Sequence, residues 1–129
     1  MRPSLGTMCR HDRWLDVALK VAAASPYRKW RVGAVVVRGG SVLAVGMSKS
    51  RNDPSLLDGY DEGSHEAQHI RERLSLHAEI DALSRCTPEG ADLYVARLTP
   101  AGATALAKPC RRCAATAEHL GVRHIRWTE

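Results

Sequence analysis

The chain has 129 residues, 44% apolar and 26% charged, with a formal charge of +5. That composition excludes wholesale disorder. Its longest apolar run, residues 32–37, is far short of the ~20 residues needed to span a bilayer, so no membrane partner is expected. The length suits a single domain over 1–129 built on one core. The first ten residues carry no apolar h-region, so no signal peptide is read there and a cytoplasmic location is expected. With no Phe, three Trp and three Tyr, the core must come from Val, Leu, Ile and Ala. The same shortage limits aromatic platforms for single-stranded nucleic acid.

In residues 12–24, Leu15, Ala18, Leu19 and Ala22 recur at helical spacing, which predicts an amphipathic helix that Ser25-Pro26 stops. Two β-rich runs, 31–38 and 41–46, flank Gly39-Gly40 and read as a hairpin with a primed turn. Residues 47–64 form a long polar connection, the kind of loop that is usually functional or mobile. A short polar helix follows over 65–74. A second helix is expected over 76–83, with Leu76, Ile80 and Leu83 on one face. Residues 91–98 alternate as a strand, Leu93 and Val95 opposing Tyr94 and Ala96. After a loop through Thr99, Pro100 and Gly102, Pro109 suits the first turn of a helix ending near Leu120, with Gly121 as terminator. A last strand covers 122–127. Helix, hairpin, helix, strand, helix, strand is the order of an α/β layered domain whose later strands are joined by crossovers.

Of the four cysteines, Cys9, Cys86, Cys110 and Cys113, only the last two have metal-ligand spacing; disulfides are not expected in a reducing compartment. Three apart at a helix start, Cys110 and Cys113 share a face on which two sulfurs can hold one tetrahedral metal. The positive helix end favours their thiolates. His77 can add a third, neutral ligand from the start of the neighbouring helix. Three protein ligands leave the fourth position open, which is the catalytic rather than the structural arrangement of zinc. Glu79, two residues on, can sit beside the attacking water without ligating the metal and pass its proton to a departing amine.

A second motif competes: His65-Glu66-Ala67-Gln68-His69 is a literal H-E-x-x-H, the zinc-hydrolase pattern. In metalloproteases that stretch lies on a buried helix, whereas here Asp61, Glu62, Arg71, Glu72 and Arg73 flank it as on a solvated one. A solvated polar helix is the favoured reading, with a secondary metal at His65 and His69, or a zinc hydrolase working through His65, Glu66 and His69, as the alternatives.

His77-Ala78-Glu79 followed by Pro109-Cys110-Arg111-Arg112-Cys113 is the H-x-E…P-C-x-x-C pattern and resembles the cytidine and deoxycytidylate deaminase superfamily. The likeness extends from Asp12 to Trp127, including Gly46 and the stretch around His77, and looks most like small deaminases of bacteria and their phages. It implies a cytidine deaminase-like three-layer αβα sandwich with a mixed sheet and one catalytic zinc on His77, Cys110 and Cys113. It also implies Glu79 as proton shuttle, a backbone contact from Ala78 to the base, and Pro109 shaping the helix beside the zinc. Relatives often hold the sugar with an Asn after the second strand; Ser48 aligns there and Asn52 follows four residues later. The loop at Leu106-Ala107-Lys108 lacks the aromatic that polynucleotide-editing relatives carry. Many relatives are oligomers, and a second subunit is expected to cover the sheet edge at 122–127.

The expected reaction is attack at C4 of cytosine in a nucleotide, releasing ammonia, with adenine second. Single-stranded DNA or RNA is the alternative substrate, and a zinc-stabilised binding module the non-enzymatic one; an intact Glu79 argues against the latter. Charge is segregated: residues 53–92 hold three basic against ten acidic side chains, and 93–129 six against two. An anionic substrate should therefore approach from the hairpin and cysteine side. Lys108, Arg111 and Arg112 are candidate phosphate contacts.

Overall fold

The computed structural model describes residues 10–26, 29–50 and 75–129. Their elements are helix α1 (Arg10–Ala23), strands β1 (Arg31–Arg38), β2 (Ser41–Met47), β3 (Lys49–Ser50) and β4 (Ser75–Leu76), helix α2 (Ala78–Leu83), strands β5 (Asp92–Leu98) and β6 (Thr104–Ala105), helix α3 (Arg111–His119) and strand β7 (His124–Trp127). Cys9, Asn52, most of the 47–64 connection and the His65-Glu66…His69 motif lie outside the described residues. Among the described residues no helix is long and apolar enough to cross a membrane.

The main sheet runs β2-β1-β5, with β6 and β7 sharing the far edge of β5. β1 is antiparallel to both β2 and β5, so β2 and β5 point the same way and α2 crosses from one to the other. β5 and β7 are parallel, joined through α3. The sheet is therefore mixed, as expected. Gly39 and Gly40 have φ of 60° and 80°, the positive values that a type I′ hairpin turn demands at both central positions.

Alternation along the strands divides the core between two faces. On one, Val32, Ala34, Val36, Leu93 and Val95 pack with Ala78, Ala82 and Leu83 of α2 and Ala117 of α3. On the other, Val35, Val37, Tyr94 and Ala96 pack with Trp14 and Ala18 of α1. Helices on both faces of one sheet make the three αβα layers. β1 is buried on both faces, hence its near-continuous apolar run.

Two glycines set the layer spacing. A Cβ on Gly33 would lie 2.3 Å from the Ala18 carbonyl oxygen and 2.4 Å from the Ala22 nitrogen; one on Gly46 would lie 2.4 Å from both the Ala78 carbonyl oxygen and the Ala82 nitrogen. Each helix thus lays an Ala-x-x-x-Ala stripe on a sheet glycine, backbone against backbone.

The boundaries differ from the periodicity reading in two informative places. Leu76 is not helical: it pairs with Lys49 in the short β3–β4 ladder, and the helix starts only at Ala78. Apolar spacing suggested a longer helix because it cannot register a two-residue pairing to a distant segment. Pro109 likewise precedes the helix, which begins at Arg111 with Cys110 as N-cap. The 99–108 loop gains strand β6, whose Thr104 and Ala105 pair with Leu98 and Arg97. Buried Thr128 fills the gap between β6 and β7: its N–H donates to the Val95 carbonyl (3.1 Å), its hydroxyl to the Ala105 carbonyl (2.7 Å), and its carbonyl accepts the Ala107 N–H (2.9 Å).

Gly46→Ala should therefore lower stability in urea unfolding by about 1–3 kcal/mol, because rigid backbone rather than a movable side chain opposes the new methyl. An unchanged midpoint would show that α2 does not rest on β2 as described.

Candidate metal centre

α2 and α3 begin side by side, and their N-caps are the functional residues. His77 caps α2 with extended backbone (φ −72°, ψ 142°) and makes no side-chain capping bond. Its imidazole is directed to the cysteines instead: Nδ1 is 3.3 Å from Cys113 Sγ and 3.7 Å from Cys110 Sγ. Cys110 caps α3, its sulfur accepting the Cys113 N–H at 3.4 Å. The three donor atoms lie within 4.8 Å of one another, the one such group among the described residues.

This donor set fits zinc. Bond lengths near 2.3 Å to sulfur and 2.0–2.1 Å to nitrogen imply ligand–ligand edges of roughly 3.5–3.8 Å in a tetrahedron, and the observed separations bracket that range. The electrostatics agree. Burial pushes the Cys113 thiol far up, and the nearby Glu79 carboxylate adds to this while Arg112 offsets it only in part. Two sulfurs beside a carboxylate are an unfavourable cluster until a dication joins them, whereupon thiolates become the stable form. His77, Cys110 and Cys113 thus form a candidate zinc site.

Glu79, in the first turn of α2, is only 6% exposed. Burial raises its carboxyl above the ordinary carboxylate range; a backbone hydrogen bond works the other way. Two residues later, Asp81 Oδ2 accepts the Met47 N–H (3.2 Å) and Oδ1 the Arg85 Nε–H (3.1 Å), tying α2 to the end of β2.

A pocket of about 350 Å³ opens beside this cluster, lined by Trp30, Val32, Ser48, His77, Ala78, Glu79, Arg97, Leu106, Ala107, Lys108 and Cys110. Of the lining residues Val32, Ser48, Ala78, Glu79 and Ala107 are buried, whereas Trp30 and Leu106 are 51% and 54% exposed and mark its rim. Ser48 lines the wall, but its hydroxyl accepts the Val32 N–H (2.9 Å) and donates to the Trp30 carbonyl (2.6 Å). It fixes the segment leading into β1 as well as facing the cavity. Pro109 is buried just before the Cys110 cap. Arg111 and Arg112 are exposed and absent from the lining; Lys108 is in it.

Sequence reasoning missed Trp30 and Arg97. The Arg97 guanidinium carbon lies 3.8 Å from the Trp30 ring centroid, and Nη1 donates to the Leu106 carbonyl (3.2 Å). Sixty-seven positions separate the two residues, and no local pattern joins them. The one available signal is that Arg97 is the next-to-last residue of a strand that leads into the loop before the cysteines.

The sequence model of the cytidine and deoxycytidylate deaminase zinc-binding region matches residues 8–129. No curated protein matches the chain in sequence. Among solved structures, apo dCMP deaminase from the cyanophage S-TIM5 is similar at 21% identity and TM-score 0.63, over 98% of this chain and 84% of that one. The same phage enzyme in complex with dCMP and dUMP gives 20% identity and TM-score 0.62, over 98% and 82%. Cytidine deaminase from Mycobacterium tuberculosis gives 18% and 0.57, over 94% and 85%. At these identities the likeness is one of fold.

Metal analysis of Cys110→Ser and Cys113→Ser proteins should show near-complete loss of zinc, while His65→Ala and His69→Ala retain it. The reverse pattern would assign the metal to the H-E-x-x-H segment.

Proposed function

The chain belongs to the family defined by the cytidine and deoxycytidylate deaminase zinc-binding region, and from that membership we propose a zinc-dependent hydrolytic deaminase. Its substrate is the cytosine of a (deoxy)cytidine nucleotide, converted to uracil with release of ammonia. The observation that carries this reading is a buried carboxylate, Glu79, lining the same pocket as His77 and Cys110. A purely structural zinc site has no use for such a group.

His77, Cys110 and Cys113 would hold the ion. The chemistry that zinc supplies at such a site is acidification of the attacking water, toward a pKa near 7. Glu79 accepts a proton from that water as its oxygen adds to C4 of the ring. The same carboxyl passes this proton to ring N3 and then carries the proton of the added hydroxyl to the exocyclic amino group, whereupon the C4–N bond breaks, ammonia leaves and a carbonyl remains at C4. A carboxyl whose burial has raised its affinity for protons suits a group that must both take and return one. Ala78, held immobile over Gly46, offers its backbone to the base edge. Ser48, Pro109 and Asn52 complete the substrate contacts in this reading.

The pocket volume supports a small-molecule nucleotide, since sites of roughly 300–1,000 Å³ are typical for such ligands. The phage dCMP deaminase of similar fold has been solved in complex with dCMP and dUMP, which supports the same class. A cytoplasmic homo-oligomer belongs to the proposal too: among the described residues the outer edge of β7 has no strand partner, and open edges are generally paired or protected.

The purified zinc-loaded chain should release ammonia from dCMP or CMP in preference to adenosine, guanine, single-stranded DNA or RNA. Glu79→Gln should keep its zinc and lose at least about 100-fold in turnover. Full ammonia release by that variant would overturn the mechanism, and base conversion confined to single strands would transfer the activity to polynucleotides.

A further inference from the structure

Resting on the nucleotide reading, we propose that Arg97, braced on Trp30, is the residue that reads the substrate's phosphate, with Lys108 assisting from the rim. The pocket is electrostatically polarised. Among the described lining residues the one acid, Glu79, is buried, whereas Arg97 lies against exposed Trp30 and bonds exposed Leu106, with Lys108 two residues beyond. A ligand that puts its reacting ring beside Glu79 therefore turns its other end toward two cations.

Arg97 is held for this role and not consumed by it. The guanidinium lies against the Trp30 ring and gives Nη1 to the Leu106 carbonyl. Among the described residues no carboxylate pairs with it, and its buried Nε has no hydrogen-bond partner. Arg123 shows the contrast within the same chain: its Nε and Nη2 both grip the Asp92 carboxylate, at 3.2 and 3.0 Å. A guanidinium with five donors, one of them engaged by the described residues, retains capacity for an anion. Its brace comes from three separate segments. Ser48 anchors the Trp30 carbonyl, Thr128 Oγ1 accepts the Arg97 backbone N–H at 3.2 Å, and the β5–β6 hairpin delivers Leu106. Pre-positioning removes the cost of ordering a long side chain on binding.

Equilibrium binding of the unreactive product pair, dUMP and deoxyuridine, to the zinc-loaded full chain tests this without turnover. The wild type should favour dUMP by at least about tenfold, the usual scale for a charge-assisted hydrogen bond. Arg97→Gln should collapse that ratio, Arg97→Lys should restore part of it, and Trp30→Ala should lower it more than Trp30→Phe. Lys108→Gln, an exposed position that does not endanger folding, should lower it several-fold. In turnover, the same variants should raise KM for dCMP far more than for deoxycytidine. Equal affinity for dUMP and deoxyuridine in the wild type, or an equal loss on both in Arg97→Gln, overturns the proposal. If dAMP binds as well as dUMP and loses as much in Arg97→Gln, the phosphate reader stands and the cytosine reading falls.

Discussion

The contact between Gly46 and the first turns of α2 is the constraint from which the site follows. No side chain separates the helix from β2: the Ala78 carbonyl and Ala82 nitrogen lie where a β-carbon would be. With backbone against backbone the helix has almost no latitude, and its first turn is held as rigidly as the sheet. His77 and Glu79 flank the locked Ala78, so both inherit that rigidity. The Met47–Asp81 bond and the β3–β4 ladder extend the contact in both directions. Gly33 does the same for α1 on the opposite face, and the pair of contacts makes a thin, alanine-lined sandwich possible in a chain with no phenylalanine.

Around the metal centre the chain departs from ordinary local preferences. Histidine is not among the favoured N-caps, and here its side chain makes no capping bond. Cysteine is a weak substitute at the start of α3, serving through a long N–H to sulfur contact. A carboxyl is buried in the first turn of α2, and a buried thiol is pushed up beside it. Each departure costs stability alone. Together they form one N, S, S donor set with an acid group at its side, which is coherent chemistry only for a cation and a proton-transfer step. The rest of the fold, with its satisfied ladders and apolar faces, carries that cost.

The rim is organised differently from the floor. Floor residues come from helix starts pinned to the sheet, whereas Trp30, Arg97 and Leu106 come from the approach to β1, the next-to-last position of β5 and the residue after the two-residue strand β6. Thr128 binds this edge together, joining β5, β6 and the 106–108 segment through its side chain and its own backbone N–H and C=O. The metal-facing half of the pocket thus rests on packed elements, and the outward half on polar contacts to loops. Differences in ligand preference arise most readily in the latter half, because loops tolerate change that packed layers do not.

By itself the sequence determined the three described helices, the long strands and the candidate zinc-ligand set. Apolar periodicity reports which face of a helix or strand is buried, and the spacing of His77, Glu79, Cys110 and Cys113 reports shared faces at two helix starts. The glycine pair at 39–40 announced the hairpin because only positive φ closes that turn. Tertiary structure alone decided everything that depends on meetings between distant segments. Leu76 became a strand residue because Lys49 was there to pair with it. Ser48 acquired backbone partners at Trp30 and Val32 that no local window contains. Trp30 met Arg97 only because β1 and β5 are neighbours in the sheet. Periodicity is a property of one element and its own environment. A pocket is the junction of several, and its outer wall was written by strand order and register.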